Sequence, residues 1–170
     1  MSAIILDLDN CIADDAWRIK HIDWSFEDPL NRYHNYHLLA GFDRVGNQEL
    51  FINTQHAVIV FTARPIMYQA TTEEWLRRRG IVPAVLMMRD NNDHQHSRDL
   101  KRQQLLSVLD KSNLTIQDIA CAYDDRSDVV DMYRGLGVNA EVRFIHHECA
   151  YTNPNPRNQN GQATKAKKRI

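Results

Sequence analysis

Seven polar residues stand at or just beyond the ends of short apolar runs, and their types define a chemistry. Asp7 and Asp9 follow Ile4-Ile5-Leu6, Thr62 and Arg64 follow Ala57-Val58-Ile59-Val60-Phe61, Arg89 follows residues 82–88, and Asp124 and Asp125 follow residues 119–123. Period-two geometry directs Asp7 and Asp9 to one side of an extended chain. If these ends share one edge of a sheet, four carboxylates, a hydroxyl and two guanidinium groups converge. Carboxylates so gathered repel unless a cation holds them, and hard oxygen ligands suit Mg²⁺. A carboxylate beside such an ion can attack phosphorus while a second carboxyl moves the proton. Strand-end capping or solvated turns would account for any one of these acids, but not for four in register.

The elements needed to gather them are legible. Residues 3–8, 57–61, 82–88, 119–123 and 140–145 read as strands, with 57–61 wholly apolar as in a strand covered on both faces. Between them, residues 66–79 read as a helix opened by Pro65 and ended by Gly80. Residues 99–109 carry a leucine stripe, and residues 127–134 are closed by Gly135 and Gly137. This alternation predicts an α/β fold with a central parallel sheet, helices on both faces and ligands beyond the carboxyl ends of the strands. Residues 14–56 interrupt it. They read as a cap insertion with helices over 15–22 and 29–39, and Trp17, Trp24, Phe26, Tyr33, Tyr36, Phe42 and Phe51 are expected mainly as its core. Stacking of these rings on a base is the sharper alternative.

A length of 170 residues fits one domain, residues 1–150, with a basic tail over 151–170. Hydrophobic residues at 43% and charged residues at 25% exclude disordered, collagen-like and coiled-coil classes. The apolar runs are far shorter than the roughly 20 residues a membrane span requires, and no signal-peptide pattern opens the chain. Three cysteines without a CxxC pair favour a reducing cytoplasm. The net charge of −1 sets 21 Lys and Arg against 22 Asp and Glu, and argues against a uniformly basic DNA-coating protein. It is also a cancellation. Residues 151–170 hold Arg157, Lys165, Lys167, Lys168 and Arg169 and no acid. Their composition favours a solvated tail, with a tether to phosphate backbones as the alternative.

Asp7-Leu8-Asp9 behind a strand, Phe61-Thr62-Ala63-Arg64, a helical Lys101 and Tyr123-Asp124-Asp125-Arg126-Ser127 together resemble the four motifs of the haloacid dehalogenase (HAD) phosphatases. Residues 82–89, Arg98-Asp99-Leu100-Lys101 and residues 124–134 with Gly137-Val138 resemble more narrowly the 3′-phosphatase domain of bacteriophage polynucleotide kinase. The resemblance covers roughly residues 3–145. It implies a HAD-like Rossmannoid three-layer sandwich with a small helical cap. It also implies a Mg²⁺-dependent phosphomonoesterase in which Asp7 is the nucleophile and Asp9 the acid and base. Thr62 would bond the phosphoryl oxygens, and Lys101 would neutralise them and position Asp7. Asp125 would bind the metal with Asp7 and the Asp9 carbonyl, with Asp124 in support. Arg64 and Arg89 would face the phosphate or serve as salt-bridging rim residues.

The implied substrate is a 3′-phosphate on a nucleic acid end, in the cytoplasm (of a bacterial host cell if phage-encoded), with no room in this length for a fused kinase domain. The alternatives are a phosphatase of free (deoxy)nucleoside monophosphates and, less favoured, a non-catalytic binding protein on a HAD fold. Asn10-Cys11 replaces the usual Gly-Thr. Asn tolerates positive φ, and two neighbouring aspartates raise the Cys11 thiol pKa, against a catalytic thiol. Gly41 and Gly46 have Walker A spacing, but Asn47-Gln48 follows them where Lys-Ser/Thr is required. The eight histidines are expected mostly at the surface or in loops, with His94 and His96 able to face substrate.

Overall fold

The computed structural model describes residues 2–146; the basic tail, His147 and Cys149 lie outside them. Five parallel strands form the central sheet in the order β5-β4-β1-β6-β7: β1 (Ala3–Leu6), β4 (Ala57–Pro65), β5 (Val85–Arg89), β6 (Ile119–Asp124) and β7 (Ala140–Val142). A two-stranded antiparallel pair, β2 (Ala13–Asp14) with β3 (Arg44–Val45), stands apart. β1 occupies the centre, and its four apolar residues are buried on both faces. Ala3 and Ile5 with Ile59 and Phe61 pack towards α4 (Ser97–Lys111) and α5 (Ser127–Gly135). Ile4 and Leu6 with Val60 pack on the other face, against Trp75 and Leu76 of α3 (Gln69–Arg78). The architecture is the expected α/β sandwich.

Element ends depart from the expectation for local reasons. β1 stops at Leu6 because the Leu8 carbonyl accepts from the amides of Cys11, Ile12 and Ala13 (3.2, 2.9 and 2.8 Å), closing a tight turn. Asn10 takes the left-handed conformation in that turn, φ +60°. Residues 66–68 form a 3₁₀ turn before α3, and Gly80, at φ +70°, ends it as expected. β5 begins at Val85, since Pro83 has no amide to offer. β7 ends at Val142 rather than 145. Beyond it the amides of Ile145 and His146 bond the Asn10 carbonyl (2.8 Å) and Asn10 Oδ1 (3.1 Å), drawing the chain off β6 and onto the turn behind β1.

Between β1 and β4 the chain makes a 3₁₀ turn at Ala16–His21 and two short helices, α1 (Pro29–Arg32) and α2 (His34–Leu38). Asp28 caps α1 by accepting from the Asn31 amide at 2.9 Å. The aromatic residues here do not form one core. Tyr36 is buried, whereas Trp17, Trp24, Phe26 and Phe42 are 39–72% exposed. So short a segment has no second layer to cover them. Among the described residues no helix is long and apolar enough to cross a membrane.

Candidate active site

The strand ends converge as the parallel sheet requires. Asp7 leaves β1, its amide bonded to the Tyr123 carbonyl of β6 at 3.0 Å, so it stands beside Asp124 and Asp125. Carboxylate oxygens of Asp7, Asp124 and Asp125 lie within 4.8 Å of one another, and all three residues are buried. Lys101, carried by α4 and only 2% exposed, sets its Nζ 2.5 Å from Asp7 and 2.6 Å from Asp124. Asn10 Nδ2 donates to Asp125 at 3.0 Å, and the Arg126 amide donates to Asp124 at 3.1 Å. Three carboxylates against one ammonium leave two formal negative charges, the complement of a divalent cation.

Burial raises the Asp7 carboxyl well above its ordinary range, opposed by Lys101 and reinforced by Asp124 and Asp125. Burial and then Asp124 push Asp125 up to about 7. Lys101 behaves oppositely: burial disfavours its charge, but Asp124 and Asp7 prevail and hold it protonated. The donor set therefore fits a hard divalent ion, which would relieve the repulsion these shifts express.

Asp9 turns away from that cluster. Its carboxylate pairs with Arg18, and with Arg64 at 2.6 Å, and both guanidinium groups also bind Asp43 (2.8 and 3.4 Å). Burial disfavours the Asp9 carboxylate, but Arg64 and Arg18 hold its pKa well below the usual range. Two cations and two anions balance, with Arg18, Arg64 and Asp43 inaccessible to solvent. The Arg18 guanidinium also stacks 3.9 Å from the Tyr36 ring centre, and the Asp43 carbonyl accepts from Trp75 Nε1 of α3 at 2.8 Å. Arg64 is thus an internal partner of Asp9 rather than a rim residue.

A cavity of about 740 Å³ opens above these acids. Asp7, Asp9, Arg89, Lys101 and Asp125 line it; Thr62, Arg64 and Asp124 do not. Thr62 is 1% exposed, and its Oγ1 accepts the Arg64 amide at 3.2 Å. Arg89 bonds the carbonyls of Ala63 (3.2 Å) and Gln95 (2.7 Å), fastening the 90–96 loop so that His94 and His96 line the cavity. His37 also lines it but is buried, contrary to the surface expectation, and burial lowers its pKa to about 3, leaving a neutral imidazole.

Asp15, Arg18, His37 and Asp43 carry no signal in the sequence that marks them as site residues, and Tyr36 is legible there only as one of the cap rings. Arg18 and Asp43 are 25 positions apart, and no periodicity or motif joins them. Cys11 is buried, and burial followed by the Asp7 charge raises its thiol pKa. Native protein at pH 8 should resist iodoacetamide at Cys11, with full labelling only in denaturant, as read by peptide mass spectrometry. Labelling of native Cys11 within minutes would contradict its enclosure. Neither Walker-like glycine lines the cavity above the acids, and a Cβ on Gly46 would stand 2.7 Å from Ile145.

Residues 1–142 match the family of the polynucleotide kinase PNKP phosphatase domain. A chain of the Pnkp1/Rnl/Hen1 RNA repair complex superposes with a TM-score of 0.62 at 24% identity, covering 83% of this chain and 42% of that one. The chain thus spans less than half the length of that relative. A haloacid dehalogenase-like hydrolase from Streptococcus pneumoniae gives 0.58 at 12% identity, covering 84% of both chains. A predicted HAD-like hydrolase from Porphyromonas gingivalis gives 0.52 at 11% identity, covering 95% of this chain and all of that one. No curated protein matches. With its acids gathered at the carboxyl edge of a HAD-like sheet, and with the match running through nearly all of the described residues, the chain belongs to the PNKP phosphatase-domain family of HAD-type phosphatases.

Proposed function

We propose that the chain is a Mg²⁺-dependent phosphomonoesterase that removes 3′-phosphates from polynucleotide ends. The carrying observation is the buried Asp7, Asp124 and Asp125 cluster beneath an open cavity, with Lys101 in contact to offset part of its charge. Asp7 and Asp125 would hold Mg²⁺ with the Asp9 carbonyl, Asp124 supporting them; when bound, the ion neutralises charge on the phosphoryl oxygens. Asp7 attacks phosphorus, the bond to the leaving oxygen breaks, and an aspartyl-phosphate forms. Lys101 opposes the burial that favours protonated Asp7 and orients its carboxylate. The leaving oxygen takes a proton. Asp9 is held ionised by Arg18 and Arg64, a state suited to accepting the proton of the attacking water in the second step. To give the leaving oxygen its proton in the first step, Asp9 must leave that pair and first take up a proton from solvent. Arg89 lines the phosphate end, Thr62 acts from beneath it by accepting the Arg64 amide, Arg64 acts through Asp9, and residues 14–56 cap the cavity.

The test compares phosphate release from 3′-phosphorylated oligonucleotides, 5′-phosphorylated oligonucleotides and mononucleotides. Release from the 3′-phosphorylated ends should require Mg²⁺, stop with EDTA and return with added Mg²⁺. Release confined to mononucleotides would move the assignment to a phosphatase of free (deoxy)nucleoside monophosphates, a reading favoured by a cavity of single-nucleotide scale. Release indifferent to EDTA would remove the metal.

A further inference from the structure

One wall of the cavity is apolar and aromatic, and the proposed reaction leaves it without a role. Ile19, Ile22, Trp24, Leu30 and Tyr33 line the same space as Asp7, Lys101 and Asp125. Ile19 and Trp24 are 43% and 39% exposed, although burial against a neighbouring element is the ordinary fate of such side chains. The wall is also held in shape. Trp24 meets Tyr33 edge to face, with ring centres 6.1 Å apart. Arg32 lies over the indole at 5.4 Å, its guanidinium fixed by the carbonyls of Phe26 and Glu27, both at 2.9 Å. The Asp23 amide closes the segment onto the Arg32 carbonyl at 2.9 Å. An occupant of this cavity must present a phosphate to the acids and a flat apolar face to the indole. A sugar phosphate offers only the first; a nucleotide offers both.

We infer that Trp24, braced by Tyr33, receives the base of the phosphorylated terminal nucleotide and makes the enzyme selective for base-bearing phosphomonoesters. The inference rests on the phosphatase reading above. At about 740 Å³ the cavity lies within the roughly 300–1,000 Å³ of small-molecule sites.

The test uses kcat/KM within one protein sample, so a loss of folded fraction cancels. Two 3′-phosphorylated oligonucleotides are compared, one intact and one lacking the base on its terminal sugar, with glycerol phosphate as a third substrate. Wild type should favour the intact end by about tenfold or more, Trp24→Ala should erase most of that ratio, and Trp24→Phe should restore most of it. A ratio equal in wild type and Trp24→Ala would overturn the inference while leaving the phosphatase reading intact. No release from any of the three by wild type would instead overturn the phosphatase reading, and the base wall with it.

Discussion

Asp7→Asn should reduce phosphate release by about four orders of magnitude or more, because an amide oxygen cannot replace the carboxylate as nucleophile. The fold should persist. Lys101 keeps its contact with Asp124, and a neutral amide removes one member of a repelling trio. The stability effect has a defined sign. Asp7 and Asp125 have folded pKa values raised above the ordinary 3.8, so the folded state holds more protons than the unfolded one at intermediate pH. In metal-free protein, the contribution of these two groups is therefore fullest below the ordinary carboxyl pKa and is lost as pH rises through about 7, where Asp125 ionises. Asp7→Asn removes its share of that loss, so urea melts at pH 5 and pH 7.5 should lie closer together than in wild type. Wild-type turnover by the variant would end the assignment of Asp7.

Lys101→Met should show the second large effect. The ammonium is almost wholly buried and touches two carboxylates. Removing one partner of a buried ion pair costs about 3–5 kcal/mol, because the charge left behind keeps its desolvation penalty. Metal-free Lys101→Met should lose about that much at pH 7.5 and less at pH 5, where protonation relieves the acids. Turnover should fall by at least about a hundredfold through lost alignment of Asp7. An equal loss of stability at both pH values would show that the methionine harms packing rather than charge balance.

The sheet and its acidic edge were readable because parallel strands declare themselves as continuous apolar runs and this architecture exposes its chemistry at one edge. Asn10 at positive φ followed from side-chain sterics alone. The Asp9, Arg18, Arg64 and Asp43 cluster was not readable: its pairing depends on how residues 14–56 fold back over β1 and onto α3, and nothing periodic encodes that path. His37 was misplaced for the same reason. Its neighbours His34 and Asn35 are polar and exposed, while its own ring packs against Tyr33, Tyr36 and Tyr68. The departure of residues 144–146 from the sheet is a contest between β6, which still holds the Arg143 amide, and Asn10, settled only once the turn behind β1 exists.

The position of β1 bears on the order in which the protein is made. β1 comes before both of its partners in the chain, yet it pairs in the middle of the sheet, with Ala3 beside Ala57 on one side and Ile119 on the other. During synthesis the strand ending at Asp7 must wait, unpaired and apolar, until β4 emerges, and longer still for β6. Pairings so distant in sequence close slowly and leave apolar strands open to wrong partners meanwhile. Asp7 thus emerges before the strands that enclose it, so chaperone demand should track the interval before β6 appears.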